Sequence, residues 1–180
     1  MKATGIVRRI DDLGRVVIPK EIRRTMRIRE GDPLEIYTER DGSVIFKKYS
    51  LLGGLTEFAT QMCETLNRTT GRIAVITDRD NIIALAGAPR RGLLDKQIAP
   101  ELERLMESRQ IYQHKVGEIG VPLCAEEGRF FLDTVAPILS EGDVLGSVVF
   151  TAPEENLTGG EVEYKLAQSI AVFLGKHMEG

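Results

Sequence analysis

Short runs of β-branched residues, separated by turn residues, fill the first fifty positions of the chain. Such runs suit strands, which the sequence predicts over residues 3–10, 15–18, 33–39 and 43–48. Pro19 lacks a backbone N–H, so it ends the second strand, and it is tolerated at a helix start. A short helix is therefore predicted over residues 20–26. Asp41-Gly42 predicts a hairpin between the last two strands, with positive φ at both turn positions.

An apolar stripe at spacings of 3, 4, 3 and 4 follows, on a helix predicted over residues 55–67. Its members are Leu52, Leu55, Ala59, Met62 and Leu66. Two interpretations of the stripe stay open. It forms a heptad-like seam that aligns two or four chains, or it packs on the sheet of its own domain. Residues 51–70 are thus predicted to be a connecting helix between a domain at 1–50 and another at 71–180.

The third region, residues 71–180, alternates strand and helix patterns. Strands are predicted over 72–77, 82–86, 111–115, 129–139 and 144–151, with a plain turn at 140–143. Helices are predicted over 99–108, with Leu102, Leu105 and Met106 on one side, and over 159–177. Inward positions of the last helix are expected to be Val162, Leu166, Ile170 and Phe173. The pattern predicts a mixed sheet flanked by helices, of the α+β class.

Charge is distributed unevenly along the chain. Residues 1–50 hold 12 Lys+Arg against 8 Asp+Glu, a net charge of +4, and the remainder carries −7. Five arginines fall between residues 11 and 29, including Arg15 just past a predicted turn at Gly14, adjacent Arg23 and Arg24, and Arg27 one helical turn beyond Arg23. A polyanion would relieve their mutual repulsion, although a solvated basic face explains the same run.

Composition excludes several classes. The two cysteines are far apart and fit no metal-ligand spacing, and no apolar run approaches the ~20 residues that span a bilayer. No secretory signal pattern is present, so a cytoplasmic protein with no membrane partner is expected. The sequence holds no P-loop, G-x-S-x-G or H-E-x-x-H pattern, and we predict that it is not an enzyme.

The run GRVVIPKEIR, within residues 2–49, resembles the AbrB-type swapped-hairpin DNA-binding domain of bacterial transition-state regulators. The resemblance implies an intertwined homodimer whose hairpins interleave into one small β-barrel that binds double-stranded DNA. The family's arginine positions fall on Arg8, Arg15, Arg23 and Arg24, with Lys2 and Arg9 as weaker candidates. For Lys47 and Lys48 a solvated strand end is favoured over a phosphate contact. The resemblance continues along the whole chain, to transcription regulators of sporulation.

The run APILSEGDVLGSVVF resembles GAF domains. That family binds small molecules between its sheet and a variable segment, which would be residues 87–127 here, and it often dimerises through terminal helices. No cysteine–histidine pairing for a bilin or haem is present, so no cofactor is assigned and an unidentified ligand stays open. Arg90 and Arg91 are expected in a solvated loop, with an acidic ligand as the alternative. Two self-associating modules in one chain predict a homotetramer.

Three functional hypotheses follow from these patterns. The first is a DNA-binding transcription regulator, activator or repressor, whose GAF-like domain assembles dimers and senses a metabolite. A flat arginine face with no long recognition helix would rely on backbone contacts and DNA shape. The second is an antitoxin-like protein-binding module, since antitoxins share the swapped-hairpin domain. The third is a small-molecule sensor with a vestigial basic region.

Overall fold

The computed structural model describes residues 5–126 and 128–179. It divides into two compact units, Met1–Tyr49 and Ser50–Gly180, which we call the N-terminal unit and the C-terminal unit. Each unit is described by itself below. Across the described residues, no helix combines the length and the apolar character needed to cross a membrane.

The N-terminal unit contains one short helix and one hairpin. Helix α1 is Lys20–Thr25, and strands β1 (Leu34–Thr38) and β2 (Val44–Lys48) pair antiparallel from Leu34↔Lys48 to Thr38↔Val44. The strands predicted over 3–10 and 15–18 are not present in the described residues 5–10 and 15–18. The reason is that a strand needs a pairing partner, and within one chain β1 and β2 pair only with each other.

The β1–β2 turn differs from the one expected. Gly42 has a φ of 90°, but Asp41 is not among the residues with positive φ. The Glu39 N–H donates to the Ser43 oxygen (3.0 Å) and the Gly42 N–H to the Glu39 oxygen (3.1 Å), so three residues, not two, connect the strands. A three-residue connection needs a left-handed conformation only at its last position, which Gly42 occupies.

The C-terminal unit opens with a 3-10 turn, Leu52–Leu55, and continues through helices and strands in alternation. The helices are α2 Thr56–Thr70, α3 Pro100–Glu107 and α4 Glu161–His177, and the strands are β3 Ile73–Asp78, β4 Ile82–Ala86, β5 Tyr112–Gln113, β6 Phe131–Ser140 and β7 Asp143–Ala152. A second 3-10 turn, Glu154–Asn156, precedes α4. The predicted elements of this region are therefore present, with shifted ends.

The five strands form one sheet in the order β4-β3-β7-β6-β5. Every pairing among them is antiparallel in the described residues, so the mixed sheet expected from the sequence is wrong in this detail. Tight turns account for two of these pairings, β3–β4 and β6–β7, because strands joined by a tight turn must run antiparallel. Between β6 and β7 that turn is Glu141 (φ 49°) and Gly142 (φ 89°), the two-residue, positive-φ geometry that was expected at Asp41-Gly42.

Alternating side chains send two apolar clusters to opposite faces of this sheet. One face packs against α2 and α4 through Ala74, Ile76, Ala136, Ile138, Val148 and Phe150. The other packs against α3 through Val75, Leu85, Leu132, Val135 and Val149. On α3, Leu102 and Met106 are buried and Leu105 is partly buried, which confirms the predicted face of that helix.

The predicted apolar stripe, which spans the 3-10 turn and α2, packs on the sheet of its own unit. Leu52, Ala59 and Leu66 are 1%, 2% and 3% exposed, and Leu55 and Met62 pack against the same cluster. Of the two interpretations, a seam between chains or packing within the unit, the structure therefore supports packing within the unit. The sheet thus covers Leu52, Ala59 and Leu66, which a seam would have to present to another chain.

Helix α4 buries a different face from the predicted one. Val162 and Phe173 are 60% and 50% exposed, whereas Leu166 and Ile170 are partly buried. The buried positions are Glu163, Ala167, Ala171, Leu174 and Gly175. A Cβ at Gly175 would collide with the Leu139 carbonyl oxygen. Small residues let the helix approach the sheet closely, and Val162 and Phe173 lie away from that contact.

Candidate nucleic-acid interface

Five of the predicted DNA-contacting residues lie exposed in the N-terminal unit. Arg8 and Arg9 precede the turn, Arg15 follows it, and Arg23 and Arg24 lie in the last turn of α1. The sixth, Lys2, lies outside the described residues. Among the residues that the structure describes, the side chains of Arg8, Arg23 and Arg24 make no ion pair, so their guanidinium groups can accept an anionic partner.

Helix α1 positions two of these arginines and then ends sharply. Pro19 precedes it with φ −57° and ψ 149° and is buried. After the helix, Arg27 adopts a left-handed φ of 51°, and the Ile28 N–H donates to the Arg23 oxygen at 2.8 Å. Arg23 and Arg24 at the C-terminal end are favoured electrostatically, because the helix dipole places partial negative charge there.

Asp11 organises the turn that carries Arg15. Its Oδ1 accepts the backbone N–H groups of Leu13 (3.0 Å) and Arg15 (2.8 Å), and its Oδ2 accepts the Arg15 Nε–H at 2.8 Å. Gly14 has a φ of 75° and its N–H donates to the Asp11 oxygen at 3.0 Å. The backbone N–H and then the guanidinium of Arg15 lower the pKa of Asp11, so the carboxylate stays ionised at neutral pH.

Two adjacent lysines at the end of β2 have different roles. Lys48 Nζ donates to the Arg27 oxygen (2.9 Å) and lies 3.5 Å from Asp32 Oδ2, which also accepts the Arg29 N–H. Lys48 therefore fixes the loop after α1 and is not the solvated strand end that was expected. Lys47 points the other way and its Nζ lies 4.8 Å from the Tyr37 ring centroid.

Sequence reasoning missed the roles of Asp11 and Lys48. For Asp11 a local signal existed, because the side chain of an aspartate in a turn often accepts the backbone N–H two residues on. For Lys48 none existed, since its partners lie 16 and 21 positions earlier in the chain.

The two adjacent arginines of the variable segment differ in their surroundings. Arg90 lies 3.3 Å from Glu64, while Arg91 is exposed. Beneath this segment, the α3 face of the sheet is filled with apolar side chains, including Leu93 at 3% exposure. Cys124 is buried, as expected, and takes part in the same cluster.

An open depression of about 440 Å³ lies beside the start of β3 and the end of β7. Its one arginine, Arg72, is already engaged by Asn156, Thr158 and Glu163. The depression therefore presents no uncommitted cation for an acidic ligand, and we assign none to it.

Sequence comparisons identify the family to which this chain is related. A family model described as stage V sporulation protein T C-terminal, transcription factor, matches residues 54–179. Stage V sporulation protein T of Bacillus subtilis (strain 168) is 47% identical over 180 residues, which cover 99% of each chain. The chain belongs to the stage V sporulation protein T family.

Each unit of this chain also has similar proteins of its own. The transition state regulatory protein AbrB of Bacillus subtilis (strain 168) is 63% identical over 49 residues, which are 27% of this chain and 50% of AbrB. Residues 7–50 also match a model described as antidote-toxin recognition MazE, bacterial antitoxin. For the C-terminal unit, the GAF domain of Thermosynechococcus elongatus PixJ has a TM-score of 0.56 at 13% identity, covering 73% of this chain and 89% of that one. That likeness shows the GAF fold.

Proposed function

We propose that this protein is a sporulation-type transcription regulator that binds double-stranded DNA through the arginine face of its N-terminal unit. In this proposal residues 1–50 are the DNA-binding domain, 51–70 the connecting helix and 71–180 the GAF-like domain. The observation that carries it is the exposure of Arg8, Arg15, Arg23 and Arg24 on a unit of net charge +4. Guanidinium groups bind phosphates bidentately, and neutralised phosphates release counterions, so affinity should fall steeply with salt.

Dimerisation through the N-terminal unit is part of the proposal. Pro19 is the one buried residue among those that the structure describes in this unit. Large apolar side chains stay exposed instead: Val7 is 89%, Leu13 71%, Val17 70% and Ile36 61% exposed. A two-stranded hairpin with no core is not stable alone, so a second chain that pairs with residues 5–19 and covers these side chains is the natural remedy.

A second self-association surface is proposed on α4, and with it a tetramer. The Phe58 ring lies 6.0 Å from the Phe173 ring and 5.7 Å from the His177 ring, while Val162 and Val172 are 60% and 53% exposed. Exposed apolar residues along α4, next to an aromatic contact with α2, are typical of a surface that another copy covers. GAF-fold dimers through terminal helices fit this location.

The DNA-binding part is tested by a salt titration with the full chain. Arg8, Arg15, Arg23 and Arg24 are changed together to alanine, and the control changes four exposed arginines of the C-terminal unit, Arg68, Arg91, Arg109 and Arg129. Both variants lose the same charge. We expect wild type and control to bind duplex DNA with a log–log salt slope of several units, and the first variant to lose both affinity and slope. If both variants lost the same DNA affinity, the effect would come from net charge and not from this arginine face.

The assembly part is tested by light scattering. Phe173→Glu should reduce a tetramer to a dimer, because it places a charge in the α4 surface. Gln168→Glu, an exposed change of the same charge on the same helix, should leave the tetramer intact. A Phe173→Glu protein that keeps the wild-type mass would contradict the α4 surface.

An antitoxin-like role is the second candidate, because the MazE antitoxin model matches residues 7–50. Antitoxin tails are usually short segments that fold on a toxin. The C-terminal unit here is a folded sheet with two apolar clusters. If the wild-type chain fails to bind duplex DNA at moderate salt, this candidate and the sensor hypothesis take precedence.

A further inference from the structure

The turn between Asp11 and Arg15 is closed by three hydrogen bonds between those two residues. The Asp11 N–H donates to the Arg15 oxygen (3.0 Å), the Arg15 N–H donates to Asp11 Oδ1 (2.8 Å), and the Arg15 Nε–H donates to Asp11 Oδ2 (2.8 Å). One carboxylate therefore fixes both the backbone of the turn and the root of the arginine side chain.

The bond to Nε leaves the two Nη groups of Arg15 available to another partner. A guanidinium has five N–H donors, and Asp11 takes only one of them. The Arg15 side chain is 69% exposed, and no partner of its two Nη groups is found among the described residues. Those two groups carry four donors, which is the set that binds a phosphate or a guanine edge bidentately.

An exposed ion pair usually contributes little, because two flexible side chains must be held in one geometry. Here the acidic partner is already held. Two backbone N–H groups, from Leu13 and Arg15, fix the Asp11 carboxylate before it meets the guanidinium. Forming the pair therefore orders mainly the Arg15 side chain, and this ordering takes place in the free protein before DNA binds.

We propose that Asp11 is a positioning residue for DNA binding, which holds Arg15 so that its two Nη groups face the nucleic acid. The inference rests on the proposed function, since it requires that this face binds DNA. It also gives an acidic residue a favourable role at a polyanion surface, where charge alone would make it unfavourable. Positioning and net charge therefore predict effects of opposite sign when Asp11 is neutralised.

The test compares two neighbouring neutralisations in the full chain, Asp11→Asn and Asp12→Asn. Asparagine at position 11 keeps one oxygen for the backbone donors of the turn but loses the second acceptor that binds Nε. Asp12 is exposed, and it contributes no hydrogen bond to the turn. The probe is an A·T-rich duplex of about three helical turns, at about 0.1 M salt.

We expect Asp11→Asn to weaken binding about three- to tenfold, the size of one charge-assisted hydrogen bond lost in part. Asp12→Asn should leave binding unchanged or strengthen it up to about threefold, because it removes a like charge from the surface. Asp11→Glu keeps the charge but moves the carboxylate by one methylene, so it should also weaken binding. If Asp11→Asn binds as tightly as Asp12→Asn, the positioning role is wrong.

A double-mutant cycle with Arg15→Ala separates positioning from general damage to the turn. In the Arg15→Ala background, Asp11→Asn should no longer weaken binding, because the side chain that it positions is absent. An equal loss in both backgrounds would overturn the proposal and make Asp11 a purely structural residue. A wild-type chain that does not retain the duplex at all would instead refute the proposed function, so the two failures are distinguishable.

Discussion

Arg72, the residue before β3, pairs with Glu163 in the first turn of α4, with Nε and Oε1 3.5 Å apart. The Glu163 side chain is 11% exposed and that of Arg72 is 31% exposed. Arg72 also donates to the Asn156 oxygen (3.3 Å) and to Thr158 Oγ1 (2.7 Å). One guanidinium thus ties the loop before α4 to the sheet, and it supplies the charge partner of a largely buried carboxylate.

Replacing Arg72 by methionine should destabilise the C-terminal unit by about 1–3 kcal/mol, because it leaves Glu163 without its charge partner in a mostly buried place. Arg68→Met is the matched control, since Arg68 is exposed on α2. Urea unfolding of the full chain, followed by labelling of the buried Cys63 thiol, measures the change in this unit. Equal midpoints for the two variants would mean that the Arg72–Glu163 pair contributes nothing.

The close contact between α4 and β6 at Gly175 leads to a second prediction. An added Cβ at Gly175 would collide with the Leu139 carbonyl oxygen, which is backbone and cannot rotate away. Gly175→Ala should therefore lower the free energy of unfolding by at least about 1–3 kcal/mol, even though alanine favours helices. Gly54→Ala, where nothing lies within 4 Å, should be neutral or slightly stabilising. Thermal unfolding of both variants decides the matter.

Sequence patterns predicted the elements of the C-terminal unit well, because each has a clear local period. They failed where packing chooses between two apolar faces. On α4, periodicity favoured the face with Val162 and Phe173, yet the helix buries the face with Ala167, Ala171 and Gly175. Large apolar residues give the stronger local signal, and the value of a small residue arises only from the backbone that it approaches.

The N-terminal unit shows the opposite limit. Its predicted strands at 3–10 and 15–18 have the right composition, but a strand requires a neighbour that a single chain does not offer. Charge and resemblance singled out the arginines of the candidate interface, and their contact with DNA stays a prediction. The fixing of Arg15 by Asp11 was not, because one sequence fits both an exposed turn and a preorganised one.

Burial raises the pKa of the Cys63 thiol to about 12, although the Ile76 backbone and Arg90 act in the opposite direction. Thiolate is the reactive form, so Cys63 should resist thiol reagents at pH 8 in the native protein and react only on unfolding. The raised pKa also determines whether stability rises or falls with pH. Above about pH 8.5 the unfolded thiol loses its proton first, so stability falls as pH rises from there toward 12.

A Cys63→Ala variant tests this sign, because it removes the titrating group. Between pH 7 and 10 the wild type should lose more stability than Cys63→Ala, and their difference should shrink as pH rises. Parallel stability profiles would show that Cys63 ionisation makes no contribution. Labelling at pH 8 in the absence of urea gives an independent check, with the urea-unfolded chain as the reference for full reactivity.

The Asp11 carboxylate provides the last prediction, through its lowered pKa. The largest cause is the Arg15 backbone N–H, followed by the Arg15 guanidinium. A lowered pKa means that the ionised form is favoured in the folded turn. Its contribution is therefore complete above the unfolded pKa, about 4, and is lost as pH falls through the lower folded value.

In Arg15→Ala, the pKa of Asp11 should rise but stay below its unfolded value, because the backbone N–H groups of residues 13 and 15 still donate. Arg8→Ala removes the same charge without removing a bond to Asp11, so it should change this pKa less. Carboxyl NMR titration of selectively labelled protein measures the Asp11 pKa in wild type, Arg15→Ala and Arg8→Ala. An Asp11 that titrates alike in wild type and Arg15→Ala would show that the guanidinium does not hold the carboxylate, and the positioning role would lose its physical basis.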